Sequence, residues 1–253
     1  VISDKSSNMK YPLADYELTP DVAIIDPDFV MTVPPSATAD TGLDVLTHAI
    51  EAYVSVLASD YTDALALHAI KLVFRYLPDS YKYGADDQRA REKMHNASCI
   101  AGMAFTNAFL GINHSMAHKL GGEFHIAHGR ANAVLLPHII AYNGEENPSK
   151  YNAFPKYSHF SAPKRYANIA RELGLAADTD SQGVNSLINA VRELMKTVGI
   201  PFSFREMGID ENQYMSSLKE LSYKAFEDQC TTANPRLPKV YEIEELYKKA
   251  YYG

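Results

Sequence analysis

The sequence predicts a mainly α protein with a short strand segment at its N-terminus. Three observations support this: apolar residues recur at helical spacing in long stretches after Ser36; the residues before the Pro34-Pro35 pair fall into short β-branched runs; and 253 residues suffice for one large core or two modest ones.

The first 35 residues hold "VISDK", "KYPLADYEL" and "DVAIIDPDFV", separated by turn formers, so two or three strands are expected there. An isolated hairpin is barely stable in water, so these strands are expected to pair with a sheet lying elsewhere and to carry edges prone to pair with another chain. "SATADTGLDVLTHAIEAYVSVLA" then has helical spacing, with Ser36, Asp40 or Thr41 as candidate N-caps. "TDALALHAIKLVFRYL" is the next helix, ended by Pro78. "DDQRAREKMHNASCIAGMAFTNAFLG" opens with acids at its positive dipole end and becomes apolar and rich in small residues, as a buried central helix does. Further helices are expected over 115–122, 131–142, 163–174, 181–198, 211–225 and 242–251, with 143–162 as a packed surface loop. The expected division is therefore 1–35, a strand segment, and 36–253, a helical domain.

Composition excludes several classes. A net charge of -7, from 31 acidic and 24 basic residues, argues against a polyanion-binding surface, so nucleic acid is not an expected partner. Cys99 and Cys230 have no paired spacing of the kind that holds structural zinc or a redox disulfide, and a reducing cytoplasm is the expected setting. No apolar run approaches the ~20 residues that span a bilayer, and "VISDKSSNMK" lacks the basic and apolar regions of a signal peptide. The chain begins with Val, which suggests processing or excision from something longer.

Five of the nine histidines, His114, His118, His125, His128 and His138, fall within 28 residues. Asp44 and His48 lie four apart on one helical face, His114 and His118 repeat that spacing on another helix, and His128 precedes Gly129 after a turn-like stretch that can return it to the same point. A carboxylate with several imidazoles suits divalent iron or zinc better than calcium or magnesium, which prefer oxygen shells. Spacing alone does not select among the histidines. "HSMAH" has the two histidines of a zincin motif, but Ser115 stands where the general base is required, which argues against a metalloprotease. A G-x-S-x-G elbow, a Walker loop and a G-x-G-x-x-G segment are all absent from the sequence, and Gly121-Gly122 reads as a helix end.

The order of "TGLDVLTHAIEAY", "AGMAFTNAFLGINHSMAHKLGGEFHIAHGRANAVLLPH" and "DQCTTANPR" resembles the iron-containing (group III) alcohol dehydrogenases. Through "KYPLADYELTPDVAIIDP", "EAYVSVLASDYTDALAL" and "FEDQCTTANPR" the likeness is nearest to the alcohol dehydrogenase half of bifunctional aldehyde/alcohol dehydrogenases, and it runs nearly end to end. The resemblance implies the helical C-terminal domain of the iron-containing alcohol dehydrogenase/dehydroquinate synthase-like fold, its N-terminal strands left from an α/β nucleotide-binding domain whose Gly-rich loop has no counterpart here.

The same resemblance implies Asp44, His48, His114 and His128 as ligands of Fe2+, with Zn2+ also acceptable to this donor set. It implies His118 beside substrate and nicotinamide as a proton relay, Lys10 as a cofactor contact, and Phe105 and Cys230 as walls of the alcohol pocket; His125 and His138 have no ligand counterpart. The expected activity interconverts a short-chain aldehyde, acetaldehyde foremost, and its alcohol with NAD(H), in a homo-oligomer that includes the nucleotide-binding domain or the rest of a bifunctional enzyme. The alternatives are a non-catalytic metal-binding or assembly module and a zinc polyol dehydrogenase of the glycerol type.

Overall fold

The computed structural model describes residues 2–4, 9–11, 15–152, 157 and 159–253. Helices dominate, as expected. At the N-terminus β1 (Ile2–Asp4) and β2 (Met9–Tyr11) form an antiparallel pair with Ser3 opposite Lys10. The third expected strand is absent: residues 19–26 carry no regular element and Pro27–Val30 is a single 3₁₀ turn capped by Asp26, whose side chain accepts from Asp28 N–H at 3.0 Å. Among the described residues the β-branched content there has no neighbouring strand to pair with, and Val22, Ile24 and Phe29 are left exposed.

Nine α-helices follow among the described residues. The first, α1 (Pro35–Val54), starts with proline at its first position, where a missing N–H costs nothing, rather than with a side-chain cap at Ser36, Asp40 or Thr41. It is buried on most of its circumference, which marks it as the central helix. Around it pack α2 (Asp60–Tyr83), α3 (Gln88–Ala108) and α5 (His128–Asn143), while α4 (Ile112–Glu123) lies against α5. The outer layer is α6 (Ala162–Glu172), α7 (Asp180–Thr197), α8 (Glu211–Phe226) and α9 (Val240–Tyr252).

Two boundaries correct the sequence reading. Pro78 does not end α2, which continues to Tyr83. Proline forfeits one backbone hydrogen bond, but Leu77 and Ser80 on either side are fully buried, and that packing carries the helix through. The helix expected from residue 131 starts at His128, so this histidine opens α5 instead of ending a turn. The described start of the loop after α5 is tied to the helical body: Tyr151 bridges to Arg236, and Asn152 Nδ2 donates to the carbonyl of Thr232 at 2.7 Å, while residues 153–156 and 158 lie outside the described residues.

Candidate metal centre

Four elements converge on the histidine cluster. α1 contributes Asp44, His48 and Glu51, spaced so that all three share one face. α4 contributes His114 and His118, and α5 begins at His128. The turn at residues 229–233 brings up Asp228 and Cys230.

Local chemistry sets this geometry. Phe109 leaves α3 with φ 62°, redirecting the chain into α4. The first N–H groups of α4 have no partner inside the helix. Glu51 Oε1 takes the Asn113 N–H at 2.8 Å and Asn234 Oδ1 the Ile112 N–H at 3.3 Å, so two residues distant in sequence cap the helix that carries His114. Gly129 lets α5 approach α1: a Cβ there would lie 2.0 Å from the Asp40 carbonyl oxygen. Arg130 next to it grips Asp40 through Nε at 2.9 Å.

One donor atom each from Asp44, His114 and His128 lie within 4.8 Å of one another. Nε2 of His114 and Nε2 of His128 are each 3.7 Å from Asp44 Oδ1. His48 stands at the edge of this trio, its Nδ1 4.0 Å from Asp44 Oδ2 and its ring stacked between His114 and Phe105, with centroids 4.4 and 4.6 Å away. Asn132 Nδ2 donates to Asp44 Oδ1 at 2.6 Å and lies 3.1 Å from His128 Nε2.

The electrostatics favour neutral imidazoles around an ionised carboxylate. Burial and the neighbouring imidazoles push His48, His114 and His128 down to about 4, against the pull of Asp44. Burial would raise Asp44, but the three histidines and the Asn132 hydrogen bond hold it below its usual value. His114 Nδ1 is bonded to Glu51, and its Nε2 is a buried ring nitrogen without a hydrogen-bond partner. An orphaned nitrogen facing a carboxylate and two further imidazoles fits a divalent transition metal.

A sequence profile of the Fe-containing alcohol dehydrogenase family, C-terminal, matches residues 38–251. The chain belongs to this family. It is 58% identical over its whole length to the aldehyde-alcohol dehydrogenase of Streptococcus pneumoniae, of which it spans 28%. The iron-containing alcohol dehydrogenase of Thermococcus thioreducens superposes with a TM-score of 0.82 at 41% identity, over 94% of this chain and 57% of that one. Sulfoacetaldehyde reductase from Bifidobacterium kashiwanohense, solved in complex with NAD+, superposes at 0.80 and 28% identity, over 99% of this chain and 59% of that one.

Within this domain, the remaining candidates divide by position. His118 borders the trio: its ring stacks on His128 with centroids 5.3 Å apart, and its Nδ1 is 3.1 Å from Asp228 Oδ2. Cys230 lies beside His118 and Asp228, and Phe105 stacks on His48. Burial and the Asp228 charge push the Cys230 thiol far up, so it stays protonated. Lys10 is in β2, but its side chain is outside the described residues. His125 is an exposed turn residue with φ 53°, and His138 faces Arg192 and Lys249, so neither joins the cluster.

Sequence reasoning missed Glu51, Asn132 and Asp228. Signals existed: Glu51 continues the Asp44/His48 stripe by one turn, Asn132 follows His128 by four, and Asp228 precedes Cys230 by two.

Proposed function

We propose that this chain is the metal-binding half of an iron-dependent alcohol dehydrogenase that interconverts a short-chain aldehyde and its alcohol with NAD(H). The observation that carries this is the buried, unpartnered Nε2 of His114 facing Asp44, with His48 and His128 around it. Asp44, His48, His114 and His128 would hold the ion. Bound there, iron supplies a Lewis acid that draws charge from a substrate oxygen.

The chain's own residues do the rest. Glu51 keeps the proton on Nδ1 of His114 and so leaves Nε2 free to ligate. Asn132 fixes the Asp44 carboxylate through its 2.6 Å bond. Asp228 accepts from His118 Nδ1, which makes Nε2 the basic atom of that ring and suits it to take up or release the alcohol proton. His118 and Lys119 hold the Asp228 carboxyl far below the usual range against its burial, so it remains a fixed acceptor. Phe105 and Cys230 would wall the alcohol pocket, with Lys10 toward the nucleotide.

NAD(H) is assigned by likeness to the sulfoacetaldehyde reductase in complex with NAD+. Acetaldehyde is favoured by likeness to the aldehyde-alcohol dehydrogenase. The division at residue 35 is supported by burial, because Thr38 is the first fully enclosed side chain among the described residues. A second reading, a metal-binding module inactive by itself, draws on the chain's 28% share of the pneumococcal relative.

Metal analysis of anaerobically purified native chain and His128→Ala, followed by aldehyde-dependent NADH oxidation, separates these readings. Stoichiometric iron lost in the variant, together with turnover in the native chain, establishes the enzyme. Metal without turnover leaves the module. Protein that takes up neither iron nor zinc when given excess refutes the site.

A further inference from the structure

Behind the histidine cluster, two buried amides form a chain that ends on two of its members. Asn113 on α4 and Asn132 on α5 are both 0% exposed. Asn113 Nδ2 donates to the Asn132 carbonyl at 3.1 Å and to Asn132 Oδ1 at 2.9 Å. Asn132 Nδ2 in turn donates to Asp44 Oδ1 at 2.6 Å and lies 3.1 Å from His128 Nε2.

The partners fix which way each amide points. Turned over, Asn132 would set its oxygen against Asp44 Oδ1, and Asn113 would set its oxygen against two oxygens of Asn132; both arrangements pair acceptor with acceptor. An amide nitrogen only donates, so Nε2 of His128 is the accepting nitrogen, and the proton of the neutral ring sits on Nδ1.

The backbone of Asn113 has a separate task, since its N–H donates to Glu51. Packing α4 against α5 does not by itself require an amide at this position. Asn113 Oδ1 is buried with no partner, a penalty that an apolar side chain of similar size would avoid. What the amide supplies and an apolar side chain cannot is the donor to Asn132 Oδ1.

We propose that Asn113 is a positioning residue of the metal centre: by holding Asn132 Oδ1 it turns the Asn132 N–H groups toward Asp44 and His128, and so keeps Nε2 of His128 unprotonated and ready to ligate. The inference rests on the reading of Asp44, His48, His114 and His128 as that centre. Loading His128 then costs one hydrogen bond and no proton, while the bond from Asn132 to Asp44 steadies the carboxylate.

The test is nitrogen–proton correlation spectroscopy of the metal-free chain carrying isotope-labelled histidine at neutral pH, with His128 identified by its loss in His128→Ala, and chelator competition with zinc on the same proteins. In the native chain His128 should show a bare Nε2 and a protonated Nδ1. Asn113→Leu leaves the backbone bond to Glu51 in place; it should populate the other tautomer of His128 and lower zinc affinity roughly tenfold, the lower end for losing a group that orients a ligand. Should Asn113→Leu not fold, Asn113→Ala removes the same donors with less bulk and takes its place. A protonated Nε2 in the native chain overturns the proposal, as does an unchanged His128 spectrum or unchanged zinc affinity in the variant, whatever its stability. Native chain that takes up no zinc sinks the metal reading and this inference with it, whereas zinc uptake with an indifferent variant overturns this inference alone.

Discussion

His114 and Glu51 form a hydrogen-bonded pair with side chains 1% and 3% exposed. Burial pushes the Glu51 carboxyl up to about 7, against the backbone N–H groups of Asn113 and Gly111. The carboxylate serves the helix and the imidazole together, capping α4 and fixing the ring that α4 carries. Glu51→Gln should preserve shape but lower metal affinity roughly 10- to 100-fold, the usual effect of losing an outer carboxylate behind a ligating histidine. Chelator competition with zinc, with helical content checked by circular dichroism, measures this; unchanged affinity would show that His114 orients itself.

Asp228 stands behind His118 as Glu51 stands behind His114, and it also receives Lys119 Nζ at 2.8 Å. In the assembled enzyme Asp228→Asn should reduce kcat for aldehyde reduction about 100-fold, the lower end of general acid–base contributions, and leave bound metal stoichiometric. His118→Ala should do the same. Loss of metal in His118→Ala would instead make His118 a ligand.

Gly129 has no room for a side chain, because an added Cβ would sit 2.6 Å from the Asp40 carbonyl carbon and 3.1 Å from Asp44 Cβ. Gly129→Ala should separate α5 from α1, costing about 1–3 kcal/mol as overpacking does, and should weaken metal binding because His128 moves with α5. Denaturant midpoints and metal titration on the same sample test both effects. Full metal affinity in a destabilised variant would show that His128 is dispensable.

His138 predicts an acid response. Burial, with Arg192 on α7 and Lys249 on α9, lowers its imidazole from 6.5 to about 4. Above pH 6.5 the ring is neutral folded or unfolded and contributes no slope. As pH falls from there toward 4, the unfolded chain binds a proton that the folded chain refuses, so stability drops by about 1.4 kcal/mol per pH unit. His138→Gln should flatten this limb by that amount in urea titrations at pH 7, 6 and 5. Parallel limbs in the two proteins would contradict the assignment.

Much of the clustering at the candidate site was legible because helical spacing reports residues on one face. Asp44/His48 and His114/His118 are such pairs, and the return of His128 followed from the turn before it. The partners of His114, Asp44 and His118 were not legible, since Glu51, Asn132 and Asp228 lie 63, 88 and 110 residues from the side chains they hold. Only packing brings them together. In the fold, Pro78 misled because a local breaker was overridden by burial around it, and "DVAIIDPDFV" misled because β-branched residues make a strand only where a neighbour offers backbone to pair with.

The stretch from Asp15 to Ala37 contains no described side chain that is buried, and Leu18, Val22, Ile24 and Phe29 face outward at 63 to 87% exposure. A protease working on the isolated chain therefore meets cleavable leucine and phenylalanine bonds in this leader before any in the helical body. Brief chymotrypsin digestion should trim it and leave a resistant fragment beginning close to Pro35. Because Asp44 and every histidine of the cluster lie beyond that cut, the trimmed fragment should still bind metal, and a shortened, better-behaved form of the protein would be the practical outcome.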